Sequence, residues 1–183
     1  MNTELINWAK TVLFAYKYLG AMCRSLDKQI KRMAVNSFYI GGVWNEQNST
    51  YKISEKIIKL SDKKVDYINL KLIIEKCLQE MKQENAKILI LRNIKELSSQ
   101  TVANLLNISE RTYFRKLNNA LSEFARVMER KGYSYQKLEI CFWNDDFIKS
   151  IYNIIVNNQI TSLSGIEFER ELIAEPLLRL CDC

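Results

Sequence analysis

A chain of 183 residues with 48% hydrophobic side chains is long enough to bury a core and too apolar to remain disordered, with room for one ordinary domain or two small ones. Its 27 Lys and Arg against 21 Asp and Glu leave a net charge of +6, and it has no His, 5 Gly and 1 Pro. Without His the commonest general base is missing, and so few Gly make no phosphate-cradling loop, so neither an ATPase nor any other enzyme is expected.

The charge is unevenly spread: 14 basic against 8 acidic residues over 1–83, 9 against 5 over 84–132, and 4 against 8 over 133–183. A basic body with an acidic tail suits a polyanion such as DNA, where each neutralised phosphate releases counterions; a merely Lys-rich composition gives the same count. The 5 Cys lack metal-ligand or disulfide spacing. Cys23, Cys77 and Cys141 are isolated, and Cys181 and Cys183 form the one close pair. No metal and no cofactor are therefore expected, and an odd number of thiols with no targeting segment suggests the cytoplasm.

In chain order, Leu5, Trp8, Ala9, Val12, Leu13, Tyr16 and Leu19 recur at helical spacing. Glu4, Lys10 and Lys17 interrupt this run, so it reads as an amphipathic helix packed on a core and not as a membrane span. Helix is expected to resume after Gly20 through Leu26, Ile30 and Met33, and Asn36 to Tyr51, with Gly41 and Gly42, reads as a loop. Ser54 and Glu55 suggest a cap for a short helix through Leu60, and Ser61 and Asp62 a cap for a longer one to about Lys82. Along the latter, Val65, Ile68, Leu72, Ile74, Leu78 and Met81 make a drifting apolar stripe that requires a packing partner. Residues 1–83 thus read as a helical scaffold or oligomerisation segment.

Residues 84–132 carry a more specific pattern. Glu84 to Ile94 predicts a helix so apolar at Ile88 to Leu91 that it must be covered on more than one side. Gln100 to Leu106 predicts a short helix with Val102, Ala103 and Leu106 on one face, Ala103 being small enough for a second helix to cross close by. Asn107 tolerates the left-handed backbone of a tight turn, Ile108 fills the corner, and Ser109 caps a second helix that starts near Glu110 and runs to about 129. Stepping about 100° per residue puts Tyr113, Leu117, Ala120, Leu121 and Phe124 on its inner side. Its outer side holds Arg111, Thr112, Arg115, Asn118, Asn119, Ser122 and Arg126, and is expected to have no apolar residue. Arg pairs with guanine and Asn with adenine in a major groove, although a solvated face has the same composition. Read as a helix-turn-helix, the segment offers Arg111, Thr112, Arg115 and Asn119 for base readout. Lys116, Asn118 and Arg126 are offered for phosphate or flanking contacts, with Arg92, Lys95, Gln100 and Thr101 on the preceding helices.

The run from Ile88 to Ile94, then Leu97-Ser98, Val102-Ala103, Leu105-Leu106, Ile108-Ser109 and Arg111-Thr112-Tyr113 resembles the C-terminal promoter-reading domain of sigma factors. It is most similar to the sigma-like regulators of phages and prophages of the ArpU and RinA type, in which Ser-Glu-Arg-Thr followed by an aromatic and a basic residue opens the recognition helix. The resemblance covers about a quarter of the chain, and departs from the usual pattern at Asn107, normally Gly, and at Tyr113, normally a branched aliphatic residue. It implies a transcription regulator that binds double-stranded DNA, with RNA polymerase as a candidate partner.

Gly132 is a natural stop for the long helix. Beyond it, Tyr133, Tyr135, Phe142, Trp143, Phe147 and Tyr152 predict the core of a small helical appendage, with Asn144 as the cap and Asp145 and Asp146 as the acidic first turn of a helix that carries Phe147, Ile148, Ile151, Ile155 and Val156. From Thr161 the chain reads as an acidic tail, with a helix over Gly165 to Glu175. The expected fold is thus all-α: a helical N-terminal segment, a three-helix helix-turn-helix bundle, and the helical appendage over 133–183. Two other readings compete with the regulator. One is a complete sigma factor, for which residues 1–83 lack a promoter-melting pattern. The other is a phage packaging or structural protein of the small terminase kind, which joins a helix-turn-helix to segments that form a homo-oligomer.

Overall fold

In a computed structural model the chain is described over residues 2–39 and 50–157. Those residues form seven α-helices: α1 Thr3–Tyr39, α2 Thr50–Glu80, α3 Gln83–Leu89, α4 Ser99–Leu105, α5 Glu110–Arg130, α6 Tyr135–Phe142 and α7 Asp146–Val156. No strand occurs among the described residues, so the fold is all-α. The tail helix expected over Gly165 to Glu175, the Cys181 and Cys183 pair and most of the expected loop Asn36 to Tyr51 lie outside the described residues.

α1 is the spine. Val12, Leu13, Phe14 and Ala15 are all buried although they span a full helical turn, so the helix is covered on several sides. α2, α5, α6 and α7 all pack against it. Trp8 stacks on Tyr152 of α7 with ring centroids 4.6 Å apart, and Tyr18 meets Phe147 edge-on at 5.7 Å. Polar ties follow the same seams: Tyr16 donates to Glu75 of α2 at 2.8 Å, and Lys64 of α2 pairs with Asp27 at 2.6 Å. Residues from all three expected stretches, among them Leu5, Ile74, Phe124 and Ile148, belong to one contiguous core.

Several element boundaries differ from expectation. α1 runs through Gly20 without a break, because a single Gly costs a helix only about 1 kcal/mol and burial on both sides of Gly20 outweighs it. The two helices expected before and after Ser61 are one helix, α2, within which the Ser61 hydroxyl donates back to the Ile57 carbonyl at 2.8 Å and caps nothing. The stripe on α2 also divides. Tyr67, Leu70, Ile74 and Cys77 face the core, while Val65, Ile68 and Leu72 are exposed on the other side. At α7 the cap is Asp145 and not Asn144: its Oδ1 accepts from the Ile148 amide at 2.9 Å.

α3 ends in a turn of π-helix, Ile90–Ile94, marked by the Lys95 amide bonding the Ile90 carbonyl five residues back at 2.9 Å. Glu96 follows with φ 56°, and the chain turns to enter α4. The carboxylate of Glu96 pairs with Lys17 of α1, which fixes this corner against the spine.

Candidate nucleic-acid interface

The helix-turn-helix is built by caps at both ends of α4 and of α5. Ser98 Oγ accepts from the Thr101 amide at 3.1 Å and starts α4; Val102 and Ala103 are its buried residues. At its end the Ile108 amide bonds the Ala103 carbonyl at 3.1 Å and the Asn107 amide bonds the Asn104 carbonyl at 3.1 Å. This pair of bonds forms a Schellman turn, which requires a left-handed residue, and Asn107 supplies it with φ 51°. The same device ends α5: Tyr133 bonds Met128 at 3.0 Å, Gly132 bonds Glu129 at 2.9 Å, and Gly132 has φ 82°. Asn does at the turn what Gly does at the helix end.

Ser109 caps α5 as expected, its Oγ accepting from the Thr112 amide at 3.3 Å. Tyr113, Leu117, Ala120, Leu121 and Phe124 are buried beneath the helix. Arg111, Arg115, Asn118 and Asn119 are exposed and make no hydrogen bond or ion pair with any described residue. Four donors thus stand together on the outward face. Thr112 is half-buried, and its hydroxyl lies 2.9 Å from Ser109 Oγ, so it belongs to the cap as much as to the surface. Lys116 reaches Glu84 of α3 at 3.5 Å, and Arg126 Nε donates to the Ser122 carbonyl at 3.3 Å. Lys95, Gln100 and Thr101 are exposed.

Arg92 is placed differently from the expected phosphate contact. It is 8% exposed, and its Nη1 donates to the Leu97 carbonyl at 2.8 Å. That carbonyl lies in the link between helices, where no helical amide satisfies it, so the guanidinium serves the fold. Burial lowers its pKa, and the nearby Tyr113 acts in the opposite sense.

Two features of the site were not read from the sequence. Glu123 reaches from α5 to the start of α3, accepting from the Lys82 amide at 3.0 Å and from the Asn85 side-chain amide. Its own burial acts to raise its pKa, but those bonds and the charges of Lys82 and Arg126 outweigh it and hold the carboxyl below its usual value. Lys82, Asn85, Asn119, Arg126 and Arg130 line the groove that results between α3 and α5. Sequence distance hides this tie. The other feature is Phe114, 44% exposed beside Arg111 and Arg115, so the outer side of α5 is not free of apolar residues. The signal was there: Tyr113 already fills the core position, and its neighbour must point elsewhere.

Among the described residues no group of three or more Cys, Asp and Glu lies together to hold a metal ion, and no helix is long and apolar enough to cross a membrane. Residues 71–123, from the last third of α2 into α5, match the family model described as sigma-70, region 4. No curated protein and no solved structure matches the chain. The matched stretch holds the whole of α3, α4 and the turn, and ends inside α5 at Glu123. Over residues 71–123 this chain therefore carries a sigma-70 region 4-like helix-turn-helix of the DNA-binding kind.

Proposed function

We propose that the protein is a sequence-specific transcription regulator that lays α5 in the major groove of double-stranded DNA, a binding protein and not an enzyme. The observation that carries this reading is the set of unpaired donors on α5, Arg111, Arg115, Asn118 and Asn119, presented by a turn and cap that fix the helix against its partner α4. In such a unit the early residues of the second helix reach base edges while the first helix crosses the backbone. Arg111, Arg115 and Asn119 then read bases, with Thr112 positioned by its cap. Lys95, Gln100, Thr101, Lys116, Asn118 and Arg126 contact phosphate or flanking positions. The sigma-like match supports RNA polymerase as the protein partner, and the ArpU and RinA resemblance supports a phage or prophage role and a cytoplasmic site of action.

Selection of bound duplexes from a random DNA pool tests this, run at low and near-physiological salt beside the Arg111→Ala, Arg115→Ala double variant. A motif that survives the higher salt and is lost in the variant is the expected result. Binding that is uniform across sequences and vanishes with salt contradicts it, since that is the behaviour of phosphate contacts alone.

One observation favours the packaging or structural reading. Tyr51, Ile58, Val65 and Leu72 recur every seven residues on the outward face of α2, all exposed, which is the spacing of a helix that pairs with another. Light scattering separates the two readings: a ring-sized assembly supports packaging, a monomer or dimer supports the regulator.

A further inference from the structure

We propose that Phe114 is a base-reading residue that recognises the 5-methyl group of thymine. This inference rests on α5 lying in the major groove. Arg111, Phe114, Arg115 and Asn118 are spaced so that they form one continuous strip over the first turns of α5, since residues three and four apart are neighbours on a helix surface. The core has no use for this ring: Tyr113 is 0% and Leu117 6% exposed beneath the same turns, whereas Phe114 is 44% exposed.

The ring is nonetheless held in place. It meets Tyr113 edge-on, with centroids 5.2 Å apart and planes at 66°, and Tyr113 is itself fixed in the core. Phe114 therefore presents a positioned apolar surface between two guanidinium groups and an amide. DNA matches that combination of groups. The only apolar group on the major-groove edges of the bases is the thymine methyl, while guanine, adenine and the phosphates supply the acceptors that Arg111, Arg115 and Asn118 require. An apolar groove on a protein would cover the ring but would bury both arginines beside it without acceptors, at a large desolvation cost.

Replacing thymines in a selected duplex one at a time by deoxyuridine tests the proposal, because it removes the methyl and leaves every hydrogen-bonding group in place. The wild-type protein is expected to lose about fourfold in affinity at one or two positions, the value of one buried methyl-sized group. Phe114→Ala should bind the thymine and uracil duplexes equally, and should melt with the wild type because its ring is not part of the core. If that variant fails to fold, the uracil series on the wild type still decides. Wild-type binding that selects a site yet ignores every uracil substitution overturns the thymine assignment and leaves the reading of α5 intact. Failure to select any site overturns both.

Discussion

Tyr113 stands on the core side of α5 with its hydroxyl buried and without a hydrogen-bond partner. Burial raises its pKa, while the positive charge of Arg92 acts to lower it. A buried hydroxyl with no partner costs about 1 to 3 kcal/mol, so Tyr113→Phe is predicted to stabilise the protein by up to that amount, read as a raised midpoint in urea unfolding. A lowered midpoint would mean that the hydroxyl bonds a water or an atom that this arrangement does not supply. The position also shows what a sequence can reveal at this scale. That Tyr113 faces inward follows from periodicity, and Asn107 and Ser109 follow from backbone chemistry, each being among the few residue types suited to its place. The fate of Arg92 does not follow, because it depends on the Leu97 carbonyl, which lies in the link before α4 where no helical amide reaches it.

The elements differ in how plainly they announce themselves. α5 separates a buried from an exposed side with the single exception of Phe114, so its start, its faces and its stop at Gly132 were all legible. α2 carries apolar residues on both sides, Tyr67 and Leu70 inward and Val65 and Leu72 outward, and a pattern read without its neighbours cannot say which side is covered. The joint between α2 and α7 is likewise invisible in sequence. There Asp145 caps α7, accepts from the Tyr67 hydroxyl at 2.6 Å and pairs with Lys63 at 3.0 Å, though 78 residues separate it from Tyr67. Asp145→Ala removes the cap and strands a buried hydroxyl, and is predicted to cost about 2 to 4 kcal/mol in urea unfolding. Asp145→Asn keeps a capping oxygen and should cost clearly less. Equal losses in the two variants would show that the charge, and not the cap, holds the joint.

The molecule as a whole couples its helix-turn-helix to a spine that also holds the C-terminal helices, so its stability should respond as one unit. Its buried Tyr67 and Cys77 and half-buried Tyr16 make that stability sensitive to alkaline pH. Burial, then the bond to Glu75 and its charge, push Tyr16 up to about 12; burial pushes the Cys77 thiol up to about 11. Tyr67 is raised far above the usual range by burial first and then by the charge and bond of Asp145. In each case the folded state keeps a proton that the unfolded chain gives up at lower pH. Their contribution is thus complete below about pH 9 and is lost progressively as the pH rises above it. The melting temperature is predicted to fall between about pH 9 and 12, and Tyr67→Phe should make that fall shallower. A melting temperature independent of pH over this range would contradict the desolvation of these groups in the fold.

If α5 enters the major groove with Arg115 on a base, guanine methylation on a selected duplex must interfere with binding, and that interference is the measurement to make. Methylation at N7 occupies the major-groove edge that an arginine bonds. It is expected to block wild-type binding at one or more guanines. Arg115→Ala should lose that sensitivity at a single guanine together with about 1 to 3 kcal/mol of affinity. Specific binding that is indifferent to N7 methylation everywhere in the site would place α5 outside the major groove.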